Sequence, residues 1–451
     1  MAAQDKTPAL SNHSPMDNGS AEFVYDRADH AAAWTDSYVF HQLIPYIGNK
    51  RKLLGLIKQA ISQTSVMPPA TFLDLFAGSG VVSRMAKQMG FHVLANDWEP
   101  YAQTINGCYI GNNTPLPFTE LGGYENAIAT LNRLPPREDW ITRHLCPASD
   151  DHYDIRRDRL FYTRANGMKM DAMRSQIELW RDQGHIDAEE EACLLAPLLY
   201  QACYVSNTSG VFKGFHNGWG GQTGTALYRI LSQLTLSPAV FHDNGQANAV
   251  SRQDALALAR QLRDQRAAID IAYLDPPYNQ HPYASNYHVL NTLTLWDHPI
   301  LTEKIQGRNK AAIREDWRTG RRSAYNYRGE AERAYVALMQ ALDARFILTS
   351  YSTDGMIALP KLLEICLRRG HTEYVLQVYK RYRVSTQRFS VKPVNVEFVL
   401  IVDTTRPHTG PDASELTQRI LLAEADAVSR AARRGQPCRA APTPVDLSPK
   451  Q

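Results

Sequence analysis

Short, mostly apolar runs alternate along this chain with stretches in which apolar residues recur at helical spacing. The runs that predict strands are 71–76, 91–95, 269–274, 344–350 and 394–402, and the stretches that predict helices are 51–62, 81–89 and 255–262. Continuous apolar runs of this length are typical of strands buried on both faces, as in a parallel sheet. The alternation of strands with helices therefore predicts an α/β fold.

The strand predicted at 269–274 stops at the tetrapeptide Asp275-Pro-Pro-Tyr278, where the prolines end it. A loop at the carboxyl end of such a strand lies in the crevice where open α/β sheets bind ligands. Asp275 offers a carboxylate acceptor, the rigid carbonyl around Pro276 offers a second acceptor, and Tyr278 offers a flat ring face. This set suits a planar ring that bears an exocyclic amino group. The alternative is an ordinary turn, since Asp-Pro and Pro-Pro pairs are common in turns.

A glycine turn follows the strand predicted at 71–76. The segment Asp74-Leu-Phe-Ala-Gly-Ser-Gly80 leads into a predicted helix and a second strand, and Asp97 follows Gly80 by 17 residues. Glycines permit a sharp turn and let a ligand approach the backbone at a helix N-terminus. An acid near this spacing is placed to bind ribose hydroxyls. A dinucleotide site would normally have a third glycine where this chain has Ser83.

The segment Tyr46-Ile-Gly-Asn-Lys50 precedes the first predicted helix. Gly48 and Asn49 predict a tight turn, so Lys50 falls at the start of the helix. A cation is unfavourable there unless an anion lies beside it. Lys50 is therefore either an ordinary solvated lysine or a residue that meets a bound anion.

Taken in order, these three segments and Asp97 resemble the motif series of Dam-like DNA adenine-N6 methyltransferases, the alpha-ordered amino-methyltransferases. The motifs fall within 46–278, and weaker similarity continues to about residue 403. The resemblance implies a Rossmann-like sheet that uses S-adenosylmethionine, with a glycine turn around the methionine part of this cofactor. It also implies a loop that receives an adenine flipped out of the DNA.

The resemblance assigns roles to individual residues. The catalytic residues it implies are Asp275, Pro276, Pro277 and Tyr278. The cofactor-binding residues expected with them are Tyr46, Lys50, Asp74, Phe76, Gly78, Gly80, Asp97, Asp254 and Asp275. Tyr46 stands where the family often has tryptophan, and the resemblance places Lys50 beside a cofactor carboxylate. Asp254 reads as the end of the third strand.

The spacing between the glycine turn and the catalytic loop predicts an inserted domain. A βαβ unit takes roughly 30 residues, so about 100 of the residues between Gly80 and Asp275 are surplus. We therefore expect a helical target-recognition insert at 113–245 within a catalytic domain of 36–112 and 246–403. The remaining segments are predicted to be a disordered tail at 1–35 and a C-terminal tail at 404–451 with one basic helix.

Basic residues cluster in several places although the net charge of the 451-residue chain is only +3. In the insert, 152–174 interleaves arginines with aromatic residues, and the glycine-rich segment 207–221 predicts a shaped loop with Lys213, His216, Asn217 and Trp219 at its surface. Further clusters lie at 304–328 and 380–392. Segregated positive charge is typical of a face that binds a polyanion. An ordinary amphipathic helix explains much of 152–174 equally well.

Composition adds a few limits. The six cysteines form no C-x-x-C pair, and neither they nor the 14 histidines have metal-ligand spacing. We therefore expect a reduced protein without a metal. The N-terminus lacks the apolar core of a signal peptide, and no apolar stretch is long enough to span a membrane. These observations predict a cytoplasmic protein that is nucleoid-associated when bound to DNA.

The sequence thus predicts a site-specific methyltransferase acting on the N6 amino group of adenine in double-stranded DNA, in a restriction-modification system with a cognate restriction endonuclease or as an orphan methylase. Asp275 rather than serine before the prolines favours adenine over the alternative, cytosine-N4 methylation. Two further alternatives are an RNA or protein-amide methylase and a catalytically silent DNA-binding regulator. The intact glycine turn and Asp275 argue against the silent regulator.

Overall fold

The apolar runs form a seven-stranded sheet in the computed structural model, which describes residues 37–224, 226–302, 305–316, 319–380 and 394–434. The strands are β1 (Thr71–Asp74), β2 (His92–Asn96), β3 (Ala249–Ser251), β4 (Ile271–Leu274), β5 (Phe346–Ser352), β6 (His371–Lys380) and β7 (Val394–Asp403). The predicted N-terminal tail and the residues after 434 lie outside the described part of the chain.

The strand order is β3-β2-β1-β4-β5-β7-β6. Strands β1 to β5 pair in parallel, and β7 lies antiparallel between β5 and β6. This arrangement confirms the predicted α/β fold with a largely parallel, Rossmann-like sheet. The order reverses at the neighbouring strands β1 and β4, and their carboxyl ends therefore open into the crevice where such sheets bind ligands.

Helices connect the strands and form the insert. Their bounds are α1 (Ser37–Phe40), α2 (Leu54–Gln63), α3 (Val81–Gln88), α4 (Pro100–Asn106), α5 (Tyr124–Arg133), α6 (Trp140–Leu145), α7 (Arg164–Asp182), α8 (Ala188–Tyr204), α9 (Leu227–Ile230), α10 (Ala255–Asp264), α11 (Tyr283–Asn286), α12 (His288–Leu295), α13 (Arg328–Ala341), α14 (Leu359–Arg369) and α15 (Ala413–Arg434). The helices predicted at 51–62, 81–89 and 255–262 correspond to α2, α3 and α10. A short 3₁₀ turn, Arg51–Leu53, precedes α2.

Strand β7 shows how the two faces of the sheet are used. Alternate residues, from Val396 to Val402, join a buried cluster with side chains of α13, α14 and α15. The residues between them face the opposite side, where α2 packs against β6 and β7. Leu416 and Ile420 of α15 are buried in the same cluster. The helix predicted in the C-terminal segment is therefore present and packs on the sheet.

The segment 113–245 contains the five helices α5 to α9. Its helix α8 packs against α4, α12 and the π-helix Gly107–Gly111, which join it to the sheet side of the molecule. The five described cysteines are buried and unpaired. In the part of the chain that the structure describes, no helix combines the length and the apolar character needed to cross a membrane.

Candidate active site

The glycine turn and the catalytic loop leave the sheet side by side. Strands β1 and β4 pair in register, with Asp74 opposite Tyr273, and the N–H of Leu75 donates to the carbonyl of Tyr273 at 3.2 Å. The two strands end at this level, so 75–80 and 275–278 begin as neighbours. Parallel pairing of two sequence-distant strands thus brings the two predicted motifs together.

Tyr46 lies between the glycine turn and the tyrosines that follow the predicted catalytic loop. A Cβ on Gly78, whose φ is +51°, would lie 2.8 Å from the Tyr46 ring, so only glycine lets the turn approach so closely. The other side of the ring stacks on Tyr283 and Tyr287, each with a centroid distance of 5.0 Å. The Tyr287 hydroxyl accepts a hydrogen bond from the N–H of Ile47 at 2.8 Å. The segment 46–50 is thereby fixed between the glycine turn and the helices that follow the catalytic loop.

Lys50 and Asp275 form a buried ion pair, with 2.9 Å between Nζ and Oδ1. Burial acts to lower the pKa of Lys50, but the attraction of Asp275 and its neighbours raises that pKa well above its ordinary value. Burial raises the pKa of Asp275, and the Lys50 ammonium opposes this rise. Lys50 also lies 5.0 Å from the centre of the Tyr278 ring. The anion that the sequence required beside Lys50 is thus the catalytic-loop carboxylate itself.

Asp74 braces the glycine turn from within. Its side chain is buried, accepting a hydrogen bond from the Ser83 hydroxyl at 2.7 Å and another from the N–H of Phe76 at 3.3 Å. Burial raises the pKa of Asp74 to about 7. Gly80 adopts a φ of +78°, and a Cβ there would collide with the side-chain oxygen of Asn106. The turn is therefore shaped by contacts within the protein.

Asp97 lies at the carboxyl end of β2, facing the same turn. One carboxylate oxygen accepts from the N–H of Gly78 and the other from the N–H of Glu99, both at 2.8 Å. Burial raises the pKa of Asp97, and these backbone hydrogen bonds oppose the rise. Because a carboxylate has about four acceptor positions, Asp97 keeps capacity to accept a further hydrogen bond from a ligand.

Asp254 lies three residues beyond β3, which ends at Ser251, rather than at the end of the strand as the sequence suggested. It is the N-cap of α10 and accepts a hydrogen bond from the N–H of Ala257 at 3.0 Å. Burial raises the pKa of Tyr325, and the nearby carboxylate of Asp254 adds to the rise. Tyr325 in turn meets the ring of Phe76 edge-on, at 5.4 Å. Sequence reasoning missed Tyr325, since no recognisable motif surrounds it.

Glu397 is a second residue that sequence reasoning missed. It pairs with Ser352 across β5 and β7, is only 7% exposed, and its Oε2 has no hydrogen-bond partner in the structure. Burial raises its pKa to about 7, and Lys50 opposes that rise. Glu397 interrupts the otherwise apolar run 396–402, and a lone acid inside a buried strand is the signal that could have identified it.

The glycine-rich segment 207–221 is a shaped loop organised by Asn207. The buried Asn207 amide donates to the carbonyls of Leu160 and Gly218, and its oxygen accepts from the N–H of Gly220. Of the four residues predicted at its surface, Asn217 is exposed, whereas Lys213, His216 and Trp219 are partly buried.

This loop is also joined to the helices beside the catalytic loop. The N–H of Phe212 donates to the carbonyl of Asn286 at 2.7 Å, and the Phe212 carbonyl lies 2.8 Å from Nε2 of His288. Asn286 ends α11 and His288 begins α12, the two helices that follow the catalytic loop. The loop 207–221 is therefore in direct contact with the two helices that follow the catalytic loop.

Several basic residues predicted to contact DNA are structural instead. Arg159, Lys169 and Arg174 are buried, and each donates to backbone carbonyls: Lys169, for example, donates to Asn132 and Leu134 at 2.6 and 2.7 Å. Buried cations that satisfy carbonyls are unavailable to phosphates. Arg156 and Arg157 remain exposed beside Asp154. The prediction for 152–174 is thus wrong for its buried cations.

The two later basic clusters are only partly described. In 304–328, Arg314 pairs with Asp297 and Asp316, Arg321 with Asp316, and Arg322 with Glu330. Most of the cluster at 380–392 lies outside the described residues. Among the residues that are described, no group of three or more histidine, cysteine, aspartate or glutamate side chains could hold a metal ion.

Comparison with known proteins agrees with this geometry. The model of the D12 class N6 adenine-specific DNA methyltransferase family matches residues 46–314. The type II methyltransferase M.NlaIII of Neisseria lactamica is 33% identical over 341 residues, which cover 75% of this chain and 92% of that protein. No solved structure matches the chain.

Two further relatives are longer proteins. Modification methylase LlaI of Lactococcus lactis subsp. lactis is 29% identical over 358 residues, covering 77% of this chain and 52% of the relative. Modification methylase StsI of Streptococcus sanguinis is 30% identical over 344 residues, covering 75% of this chain and 48% of the relative. The chain therefore spans about half the length of each of these two proteins.

Proposed function

The chain belongs to the D12 class N6 adenine-specific DNA methyltransferase family, and we propose that it takes its methyl group from S-adenosylmethionine and holds the target adenine on residues 275–278. The enzyme is thus a site-specific methyltransferase that modifies adenine in DNA. The observation that carries the residue assignment is the contact of Lys50 with Asp275, in a segment whose Tyr46 packs against the glycine turn.

The residues around the glycine turn fit the proposed methyl donor. Asp97 keeps capacity to accept a hydrogen bond from a ribose hydroxyl, and Phe76, Tyr325 and Asp254 form an aromatic and acidic surface suited to an adenine ring. Bound S-adenosylmethionine would supply an activated methyl group on a positively charged sulfur. The acidic residues at the carboxyl ends of the strands are electrostatically compatible with that positively charged sulfur. Asp74 contributes indirectly, by holding the turn in shape.

Residues 275–278 suit an adenine that has left the DNA helix. Asp275 accepts a hydrogen bond from one N–H of the N6 amino group, the Pro276 carbonyl accepts one from the other N–H, and the Tyr278 ring stacks on the base. These two hydrogen bonds draw the nitrogen toward a tetrahedral shape and make its lone pair available to attack the methyl group. Binding the adenine and the methyl donor side by side lowers the activation barrier further, because the two reactants no longer have to meet and orient in solution.

Lys50 has the task of keeping the Asp275 carboxylate ionised and in place. Burial alone favours the neutral acid, which would be a poorer acceptor, and the ammonium at 2.9 Å counteracts this effect. After transfer the amine loses a proton, and Asp275 is the nearest base. A carboxyl whose pKa is raised by burial accepts that proton more readily than an exposed one does.

We further propose that the substrate is duplex DNA, that the helical insert at 113–245 recognises the target sequence, and that the enzyme acts in the cytoplasm. The direct contact of loop 207–221 with α11 and α12 supports a link between recognition and base binding. The printed names of the relatives, type II methyltransferase and modification methylase, support a role in modification alongside a cognate endonuclease. DNA from cells expressing the chain should then resist an endonuclease that cuts at the methylated sequence.

The decisive variant is Asp275→Ala. Because the carboxylate is the ionic acceptor for N6, methyl transfer should fall by about 10³-fold or more, while DNA binding is largely retained. The measurement is incorporation of labelled methyl groups from S-adenosylmethionine into duplex DNA, with nucleoside mass spectrometry to identify N6-methyladenine. Sequencing that detects modified bases in DNA from expressing cells would define the target sequence.

The matched control is Asp264→Ala, an exposed aspartate at the end of α10, for which methyl transfer should be unchanged. Undiminished transfer by Asp275→Ala would overturn the residue assignment. If methylation requires a donor other than S-adenosylmethionine, the cofactor assignment is wrong. The role of Asp275 can then still be tested by comparing methyl transfer by wild type and Asp275→Ala with that other donor.

A further inference from the structure

The segment 297–302, which we name the arch, carries the most exposed large apolar side chain among the described residues. Ile300 is 100% exposed at its centre. Single exposed apolar residues are normal on protein surfaces, so exposure alone has no meaning. What distinguishes Ile300 is how its backbone is held and where its side chain lies.

The arch is braced on the N-terminal side of Ile300. Before it, Arg314 binds Asp297 through both nitrogens, each at 2.6 Å. Next to it, the indole N–H of Trp140 donates to the carbonyl of Pro299 at 3.1 Å. A fixed backbone that presents a β-branched side chain has little entropy left to lose on insertion into a partner. The arch therefore holds an apolar tip ready for contact.

Ile300 lines a cavity that also includes residues directly following the catalytic loop. The cavity has a volume of about 680 Å³, and its wall contains Gln280, Pro282 and Ser285 together with Leu301. Gln280 is only two residues from Tyr278, on which the flipped adenine would stack. The apolar tip and the adenine-binding loop thus stand at the same opening.

The charge around this cavity suits a nucleic acid. Lys213 of loop 207–221 lines it, and burial lowers the pKa of Lys213 without an opposing contribution from a carboxylate. The segment 207–221 contains no acidic residue. Glu315 and Asp316 also line the cavity, and Asp316 is paired with both Arg314 and Arg321. An available cation beside an apolar tip matches a phosphate backbone beside its bases.

We infer that Ile300 inserts into the base stack of duplex DNA at the position that the target adenine vacates, with Lys213 at a neighbouring phosphate. Extruding a base costs a few kcal/mol of stacking and pairing. An apolar side chain that occupies the gap offsets part of that cost and slows the return of the base. The inference rests on the proposed function, since it requires a duplex substrate and a flipped adenine.

The test compares two duplexes that carry the enzyme's own target sequence, one fully paired and one with a mismatch opposite the target adenine. Ile300→Ala should lower kcat/KM on the paired duplex by about tenfold, because the gap is no longer filled. The mismatch removes much of the cost of extrusion, so activity there should be within about twofold of wild type. In a duplex with 2-aminopurine in place of the target adenine, the variant should give a smaller rise in fluorescence on binding.

The control is Met67→Ala, because Met67 is also highly exposed, at 77%, but precedes β1 at the opposite edge of the sheet. It should match wild type on both duplexes. Equal losses by Ile300→Ala on the two duplexes would mark a structural role, and no loss on the paired duplex would exclude the insertion; either result overturns the inference. A wild-type chain that methylates neither duplex would instead overturn the proposed function, and the inference with it.

Discussion

Lys50 and Arg174 are both cations with only 2% of the side chain exposed, yet they lie in very different surroundings. Arg174, in the insert, donates to the carbonyl of Leu293 at 2.8 Å and to Glu178 at 2.6 Å. It thereby satisfies the carboxyl end of α12, as arginines commonly do at helix ends. Lys50, at the edge of the sheet, meets Asp275 and lies near Glu397, whose Oε2 lacks a hydrogen-bond partner.

The difference between the two residues shows that the partners of a buried charge, and not its burial alone, indicate its role. A buried cation whose partners are satisfied carbonyls and a half-exposed acid holds two elements together. A buried cation between two desolvated acids, at the carboxyl ends of the strands, sets the protonation of groups that can meet a substrate. Both residues belong to basic segments that the sequence singled out, and only their partners separate the two cases.

The largest expected effect comes from Lys50→Met, which removes the charge while keeping the apolar volume. The pKa of Asp275 would then rise further, because burial raises it and no cation opposes the rise, so less of the carboxyl would be ionised at a given pH. Methyl transfer at neutral pH should fall by about 10²-fold or more. Part of the rate should return as pH rises and Asp275 ionises, which a pH profile of single-turnover methylation would reveal.

The control for this variant is Lys52→Met, since Lys52 is exposed on the 3₁₀ turn two residues further along. It should leave both the rate and its pH profile unchanged. A Lys50→Met enzyme with the wild-type pH profile would show that the lysine does not govern Asp275, and the distinction between the two buried cations would collapse.

The next largest effect is expected from Arg174→Met, and it should be on stability rather than chemistry. The variant leaves the last carbonyls of α12 and the acid of α7, Glu178, without their cation, which should cost about 3 kcal/mol of unfolding free energy. Denaturant titration measures the loss. Methyl transfer per folded molecule should stay close to wild type. The control is Arg181→Met, on the same helix α7 as Arg174. It removes a more exposed partner of Glu191 and should lower the unfolding free energy by less than about 1 kcal/mol.

Sequence pattern was sufficient for the parts of the fold that depend on local chemistry. The apolar run of β4 ended by two prolines, and the glycine turn after β1, both lie where they were predicted, because strand burial and backbone restriction are encoded within a few residues. Parallel pairing then brings the two motifs together. Strand β6 was missed, since its mixture of polar and apolar residues reflects an edge position rather than a buried run.

Side-chain environments were not predictable from the sequence. Arg156 and Arg159 are three residues apart in one basic segment, yet one is exposed and the other is buried against the carbonyls of Asn309 and Lys310. Their difference depends on a contact with residues about 150 positions away. Tyr325 and Glu397 reach the site for the same reason, through the packing of distant segments onto the sheet.

The smallest expected effect, Glu397→Gln, sharpens the comparison because it removes one of the acids near Lys50 while keeping its shape. The folded-state pKa of Glu397, about 7, lies above the ordinary value of 4.5. Its contribution to stability is therefore fully present below pH 4.5 and is lost as pH rises through 7, when a buried carboxylate must ionise. From pH 5 to pH 8 the wild type should lose roughly 2–3 kcal/mol relative to the variant.

Thermal unfolding of the two proteins across this pH range measures the effect, and its sign decides what Lys50 does. If the stabilities of the two proteins diverge with pH as expected, Lys50 stabilises mainly the charge of Asp275. The charge of Glu397 is then buried without a compensating cation. If the variant is instead the less stable protein at pH 8, Lys50 is shared between the two acids and holds both ionised. Substituting Lys50 would then change the ionisation of two carboxylates at once. Substituting Arg174 would still change the ionisation of none at the edge of the sheet.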